Sequence, residues 1–253
     1  MARHPEPVDV VEEIETRAER LAGWIAHNPW FAGGIALAML GAAGAFGAYR
    51  SWQGSRQATA SAALETVRVE YLAEMGASPT ALEVPELANP KAAAEIRERY
   101  LMRFREVAER ERGTAAGTLA WLEAADLLEA LGRRDESAAL YAEAAQRAPS
   151  PALQAIVQRR LGYLHEDAGR FADAAAAFEA AAAVPQYPLR YFALADAARC
   201  LARAGRTSEA LALYDRIDAE APDLALPEHQ AAQLRELRAA TPRPLSPPEA
   251  ATP

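Results

Sequence analysis

Hydrophobic and polar positions divide the chain into one long apolar stretch and a series of amphipathic segments. Residues 29–49 contain no charged side chain, whereas charges are frequent on both sides of them. In 51–75 and again in 91–112, apolar residues recur every three or four positions, which is the period of an amphipathic helix. The stretch 76–90 between them holds three prolines. This pattern predicts two helices joined by a loop.

Beyond these helices, residues 118–222 repeat one pattern three times. A glycine followed by arginine recurs at spacings of 37 and 36 residues, with a small residue seven positions before it and an aromatic ring nine positions after it. The glycines are Gly132, Gly169 and Gly205, the small residues Ala125, Gly162 and Ala198, and the rings Tyr141, Phe178 and Tyr214. Such self-similarity is the signature of a repeat architecture.

The repeated positions have physical roles in a pair of antiparallel helices. The glycine allows a left-handed exit from the first helix, and the small residue lets the second helix approach closely. The ring then fills the space against the next pair. Pro149, Pro185 and Pro222 end the second helices. The alternative is an alanine-rich bundle without true repeats.

This pattern resembles the tetratricopeptide repeat, whose unit has about 34 residues. The middle unit matches best, at Leu161, Gly162, Gly169, Ala174, Phe178, Ala181 and Pro185. The resemblance implies an all-α fold in which a tetratricopeptide-like helical-hairpin solenoid follows the apolar stretch. Residues 228–240 are predicted to form a polar helix that covers the last hairpin.

The apolar stretch 29–49 is predicted to be a transmembrane helix. Its length matches the roughly 30 Å of a bilayer core, and Trp30, Phe31, Tyr49 and Trp52 lie where interfacial anchors occur. A cleaved signal peptide and a buried core helix are the alternatives, although the acidic leader is unlike a signal peptide. Arginines on the two sides are balanced, so the residues leave the orientation open.

Small residues recur at four-residue spacing within this stretch. Such spacing lets two transmembrane helices approach closely, and it also arises by chance in an alanine-rich segment. The candidates for transmembrane packing are Gly34, Ala38, Gly41, Ala42, Ala45 and Ala48.

Composition and motifs give little sign of chemistry. The net charge is −8 and there is one lysine, so a basic stripe for nucleic acid is missing from the sequence. The only cysteine, Cys200, is expected to be a buried small residue, and His165 is expected to pack against a neighbouring helix. No nucleotide-binding, hydrolase or metal motif occurs, so we predict no enzyme activity, no catalytic residue, no cofactor and no metal.

In stacked hairpins the first helix of each pair lines a concave face. Positions on that face predict a groove that binds other proteins or peptide segments, in which arginines pair with acidic groups of the partner. The predicted groove residues are Leu119, Leu122, Asp126, Glu129, Ile156, Arg159, Tyr163, Glu166, Asp167, Phe192, Arg199 and Arg203.

The order of the segments supports a second resemblance. An acidic lead, an apolar span ending in Tyr49-Arg50-Ser51-Trp52 and an entry at residues 114–120 into the repeats are similar to the ancillary SecYEG translocon subunit family. The resemblance implies a single-pass protein of the bacterial inner membrane, with the N terminus cytoplasmic and the repeat domain periplasmic. Translocon subunits and periplasmic chaperones would be its partners. The Pro-rich tail and the long loop 76–90 depart from that family.

The predicted organisation combines the residue patterns with both resemblances. It consists of an N-terminal cytoplasmic segment (1–28), a transmembrane helix (29–49), a membrane-proximal hairpin (51–112), three repeats (113–222), a capping helix (223–240) and a disordered Pro-rich tail (241–253). The leading functional hypothesis is a membrane-anchored interaction scaffold that assists protein translocation or periplasmic chaperones. The alternatives are an envelope-assembly scaffold without translocon contact, and an accessory to an enzyme or sensor in another chain.

Overall fold

The computed structural model describes residues 23–24, 29–81 and 83–240 of the chain. Regular structure in this part is helical. The helices are α1 (Pro29–Glu74), α2 (Pro90–Arg110), α3 (Ala115–Ala130), α4 (Arg134–Arg147), α5 (Pro151–Asp167), α6 (Phe171–Ala182), α7 (Arg190–Arg203), α8 (Thr207–Glu220) and α9 (Glu228–Ala240). The predicted Pro-rich tail, and the predicted N-terminal segment apart from residues 23–24, lie outside the described residues.

The chain divides into two compact units, Met1–Arg56 and Gln57–Pro253. In the described residues of the first unit, the large apolar side chains of α1 are exposed. The predicted small packing residues are exposed as well, and a Cβ added at Gly34 or Gly41 would meet nothing within 4 Å. Local contacts remain, such as the Tyr49 and Trp52 rings with centroids 6.2 Å apart.

The transmembrane prediction for residues 29–49 needs correction. Among the helices that the structure describes, none is both long and apolar enough to cross a bilayer. Helix α1 does begin at Pro29, but it continues for 46 residues to Glu74. Alanine and glycine supply twelve of the 21 residues in 29–49, and these side chains carry little apolar surface. The apolar run is therefore the first part of one long helix, and each turn of this part presents little apolar surface.

In the second unit, the end of α1 packs against α2. The Tyr71 ring lies 5.3 Å from the Tyr100 ring and 6.3 Å from the Phe104 ring, measured between centroids. The Tyr100 hydroxyl donates a hydrogen bond to Glu74 Oε1 over 2.9 Å. These contacts form the hairpin that precedes the repeats, joined by the loop between Glu74 and Pro90.

The three repeats are the helix pairs α3–α4, α5–α6 and α7–α8. Each first helix ends in a glycine with positive φ: +76° at Gly132, +73° at Gly169 and +79° at Gly205. The amide of the arginine after each glycine donates to a carbonyl five residues earlier, over 2.8 to 2.9 Å, as in a Schellman motif. The left-handed exits predicted from the sequence are therefore confirmed.

A fourth bend of the same kind was not predicted. Gly76 has φ +76°, and the Ala77 amide donates to the Leu72 carbonyl over 2.8 Å. The hairpin of α1 and α2 thus starts like a repeat, and it differs from one in its longer loop.

Close helix contact within the repeats depends on the small residues. A Cβ added at Gly162 would lie 2.6 Å from Phe178 Cε1, so only glycine fits beneath this ring. The equivalent Ala125 and Ala198 are fully buried, and so are the rings of Tyr141 and Tyr214. The close approach predicted for the small residues is confirmed, and the rings are buried, with Phe178 in contact with Gly162 of its own hairpin.

Successive helices pack against each other along the second unit, and α9 closes the stack. Leu234 of α9 is buried in the core of the last hairpin, together with Leu201, Tyr214 and Ile217. The bounds of α9 coincide with the predicted polar terminal helix. This arrangement leaves the first helices of the hairpins side by side.

Candidate protein-binding site

The candidate site is the surface formed by α3, α5 and α7, which we call the first-helix face. Arg160 of α5 lies 3.7 Å from the Asp126 carboxylate of α3. Arg159 of α5 lies 3.2 Å from the Asp196 carboxylate of α7. These contacts place the three helices next to one another and bring the predicted groove residues onto one surface.

An apolar pocket of about 380 Å³ opens on this face. Ile156 and Leu189 remain 41% and 40% exposed in its walls, whereas Tyr187 is buried. The pocket is lined by Ile156, Arg159, Arg160, Tyr163, Tyr187, Pro188 and Leu189. The sequence predicted Ile156, Arg159 and Tyr163 as site residues, and it missed the other four.

The missed wall is the turn between α6 and α7. The Tyr187 amide donates to the Val184 carbonyl, and the Arg190 amide donates to the Tyr187 carbonyl, both over 3.1 Å. These two tight turns bury the Tyr187 ring and leave Leu189 at the residue before α7. The sequence signal was the Pro-Gln-Tyr-Pro run at 185–188, in which an aromatic residue lies between turn-forming prolines.

Tyr163 forms the opposite wall in a fixed orientation. Its ring packs edge-on against Phe178 with centroids 5.0 Å apart, and the Arg159 guanidinium lies 5.2 Å from its centroid. Its hydroxyl donates a hydrogen bond to Asp196 Oδ2 over 2.9 Å. The pocket is therefore preorganised on this side.

A buried ionic cluster lies next to the pocket, centred on Asp196. This carboxylate is 6% exposed and accepts hydrogen bonds from four side chains on three helices. The donors are Arg159 at 3.2 Å, Tyr163 at 2.9 Å, Arg199 at 3.0 Å and Gln230 at 2.8 Å. We call this group, with Glu166 and Arg203, the Asp196 cluster.

Glu166 completes the cluster. Its side chain is 8% exposed, it forms an ion pair with Arg199, and it accepts from Arg203 over 3.1 Å. Burial raises the pKa of Asp196 despite its donors, and burial next to Asp196 raises the pKa of Tyr163 to about 12. The cluster joins α5, α7 and α9 through ion pairs and hydrogen bonds that stay within the molecule.

This geometry changes the role predicted for the arginines. Arg159, Arg199 and Arg203 were expected to pair with acidic groups of a partner, but they pair with Asp196 and Glu166. The sequence missed Asp196 as their acceptor. The available signal was one acid in the apolar stretch 191–202, three residues before Arg199.

Carboxylates on the α3 side of the face form a contrasting group, which we call the acidic strip. It consists of Glu123, Asp126 and Glu129 on α3 and Asp167 on α5. Burial raises the pKa of each of the three α3 carboxyls, and the charges of Asp126 and Asp167 raise that of Glu129 further. Asp126 accepts from the Tyr141 hydroxyl, while Arg68 lies 3.8 Å from Glu123.

Two predicted leucines of α3 have different positions. Leu119 is 39% exposed, whereas Leu122 is 8% exposed and belongs to the hydrophobic core. Leu122 is thus a packing residue rather than a groove residue, because it faces the neighbouring helices. Phe192 of α7 is half-buried and does not line the apolar pocket.

A second cavity of about 430 Å³ adjoins the acidic strip. Its lining is polar and comes from α1, α2, α3, α5 and the loop between α1 and α2, and it includes Arg68, Arg97, Glu123 and Asp126. Arg160 lines both this cavity and the apolar pocket. The first-helix face therefore offers an apolar compartment beside a charged one, with Arg160 between them.

Residues with potential for chemistry lie apart from these compartments. Cys200 is fully buried, and burial raises the pKa of its thiol to about 11, so its predicted packing role is confirmed. Burial lowers the pKa of His165, which is half-buried. The described residues contain no group of three His, Cys, Asp or Glu side chains that would hold a metal ion.

Comparison with known proteins gives a likeness of fold. No protein-family model and no curated protein matches the chain. Among nine matching solved chains are two structures, one of them a single-residue variant, of nearly identical TPR-like repeats from a kinesin light chain candidate of Podosopora anserina. Each has a TM-score of 0.45 and 16% identity, and covers 58% of this chain and 81% or 80% of its own. The chain's own glycine-capped hairpins define it as a helical-hairpin repeat protein.

Proposed function

We propose that this chain is a protein-interaction scaffold that holds a segment of a partner protein on the first-helix face. An apolar side chain of the partner occupies the apolar pocket and anchors the segment. The observation that carries this proposal is an open apolar pocket whose lining arginines, Arg159 and Arg160, already pair with acids inside the molecule. Such a pocket gains little from a small anionic ligand and more from an apolar group.

The energetics fit an anchor of moderate strength. Ile156 and Leu189 are about two-fifths exposed, so covering them contributes about 1 kcal/mol each. Tyr163 adds contact area without losing rotamer freedom, because its contacts with Phe178, Arg159 and Asp196 already hold it. A partner needs further contacts along the face for stable binding.

The finer hypotheses from the sequence stay predictions. A role beside the translocon or with periplasmic chaperones and an inner-membrane location rest on the resemblance described above, and an envelope-assembly role is the alternative to them. The absence of enzyme activity is likewise a prediction. Binding of a protein segment is common to these hypotheses, so it is the feature to test first.

Site-specific photocrosslinking in cells tests the scaffold proposal. A photoreactive residue at Leu189 of the full-length chain is expected to capture a protein partner. The same residue at Met102, an exposed apolar position on α2 away from the pocket, is the control. Capture at Leu189 is expected to fall at least about tenfold when Ile156 is changed to Glu, because a charge in the apolar pocket repels an apolar anchor.

The matched variant Met102→Glu should leave capture at Leu189 unchanged. Equal capture at the two positions, or capture at Leu189 that survives Ile156→Glu, would show that the pocket is not the binding site. Circular dichroism of each variant verifies that the helices remain folded.

A further inference from the structure

The apolar pocket and the acidic strip lie along the same stretch of α5. Ile156, Tyr163 and Asp167 are separated by seven and four residues, so they share one face of the helix. Tyr163 lines the pocket, and Asp167 lies one turn beyond it. Glu129 of α3 is close enough to Asp167 for the two charges to interact. The pocket and the Asp167 carboxylate therefore lie on the same face of α5, one helical turn apart.

These two carboxylates have no hydrogen-bonded or ion-paired partner among the described residues, and the charges of Arg134 and Arg160 act on Glu129 less strongly than those of Asp126 and Asp167. In the part of the chain that the structure describes, neither the Glu129 nor the Asp167 side chain makes an ion pair or a hydrogen bond. The nearest arginines of the strip serve other acids, at 3.8 Å from Arg68 to Glu123 and 3.7 Å from Arg160 to Asp126. Two like charges thus lie together beside an apolar pocket, and a cation would stabilise both.

The arginines on the opposite side of the pocket do not need an anion from a partner. Arg159 and Arg199 are bound to Asp196 and Glu166, and an acidic partner would have to displace these buried carboxylates. Removing one member of a buried pair is strongly unfavourable. Charge complementarity therefore favours a basic partner over an acidic one.

We propose, building on the scaffold function, that the partner segment carries a Lys or Arg near its apolar anchor. The anchor enters the pocket between Ile156 and Leu189, and the basic side chain pairs with Glu129 and Asp167. The centre of the pocket lies about 10 Å along α5 from Asp167, which an extended peptide covers in about three residues. The recognised pattern is an aliphatic or aromatic residue with a basic residue two to four positions away.

Selection of a random 12-residue peptide phage library on the full-length protein tests this pattern. We expect enriched sequences to pair Leu, Ile, Phe, Tyr or Trp with Lys or Arg at that spacing. A fluorescently labelled copy of the most enriched peptide then gives affinities by fluorescence anisotropy. The double variant Glu129→Lys with Asp167→Lys should weaken binding at least about tenfold, because it replaces attraction with repulsion.

The matched control is Glu95→Lys with Glu106→Lys. It makes the same change in net charge at two exposed acids of α2, and we expect less than a twofold effect. Replacing the basic residue of the peptide by Glu should reverse the preference, so that the Glu129→Lys, Asp167→Lys variant binds it more tightly than the unmodified protein does.

The outcomes separate this inference from the scaffold proposal. Peptides that need Ile156 but show no basic enrichment would overturn the basic pattern and leave the pocket in place. Peptides whose binding is unaffected by Ile156→Glu would overturn both. Enrichment of acidic residues near the anchor would also contradict the proposal, since it would assign the arginines to the partner.

Discussion

Two equivalent contacts between neighbouring repeats behave in opposite ways. Counting back from the capping glycines, Glu129 and Glu166 occupy the same position of the repeat. Glu166 is buried and pairs with Arg199 and Arg203 of the next first helix. The equivalents of those arginines opposite Glu129 are Tyr163 and Asp167, and Glu129 makes no ion pair with either.

The difference shows how one repeat position can serve two purposes. Between α5 and α7, complementary charges pair with each other and join two hairpins. The same cluster contacts α9 through the hydrogen bond from Gln230 to Asp196. Between α3 and α5, the same positions leave Glu129 and Asp167 without an ion pair in the described part of the chain and place Tyr163 in the wall of a pocket. The type of residue supplied by the following repeat decides which contact is structural and which is open to a ligand.

The largest expected difference is in the loss of stability when Asp196 or Glu123 is replaced. Both carboxylates lie nine residues before the capping glycine of their repeat. Asp196→Ala leaves Arg159 and Arg199 without their shared acceptor, so we expect it to lower the free energy of unfolding by about 3–5 kcal/mol. Glu123→Ala should lower it by less than about 1 kcal/mol, because its nearest arginine is 3.8 Å away. Urea denaturation followed by circular dichroism measures both, and similar losses for the two variants would contradict the comparison.

A smaller effect on stability is expected from giving the contact between α3 and α5 the charge pairing that is found between α5 and α7. Asp167→Arg places a cation where Arg203 stands in the next repeat, so it should pair with Glu129. We expect a gain in stability of about 0.5–1 kcal/mol, since a like-charge contact becomes an attractive one. The thermal midpoint should rise by a few degrees and the rise should shrink in 1 M salt. A lower midpoint would mean that the two side chains do not face each other.

The smallest effect concerns the pH dependence of Glu129. Burial, and then the charges of Asp126 and Asp167, raise the pKa of this carboxyl in the folded state. The folded protein therefore holds the proton more tightly than the unfolded chain, and ionisation of Glu129 costs stability as the pH rises through its folded pKa. Glu129→Gln should add up to about 0.5 kcal/mol at pH 7, after screening by solvent, and nothing below about pH 4.

Glu106→Gln on α2 is the matched control, and its stability curve should follow that of the unmodified protein across the same range. Urea midpoints at half-unit pH steps provide the measurement. A gain from Glu129→Gln that persists at low pH would assign the effect to packing rather than to charge.

The repeats were predictable because small residues, aromatic rings and glycines recur at a fixed spacing in the sequence. The sequence identified Gly162 and Phe178 as repeat positions of defined size, and the structure adds that the ring packs over the glycine of the same hairpin. Gly76 escaped notice because a long loop follows it, and the next helix does not fall into the period of 36 or 37 residues.

The site was harder to predict, because it depends on partners that are distant in sequence. The donors to Asp196 come from α5, α7 and α9, and no periodicity connects them. The α3 position of Leu122 was assigned to the groove, although the adjacent hairpin buries it in the core. The length of the uncharged stretch 29–49 likewise predicted a membrane-spanning helix. Its average hydrophobicity is too low for such a helix.

Cys200 gives this architecture a native reporter. It is the chain's one thiol, it has no exposed surface, and it lies on α7 in the same hydrophobic core as Leu234 of the closing helix. A thiol reagent reaches it only when α7 separates from its neighbours. The rate of modification therefore reports how often the last hairpin opens. Occupancy of the first-helix face by a ligand would be recorded as slower labelling, without any added probe.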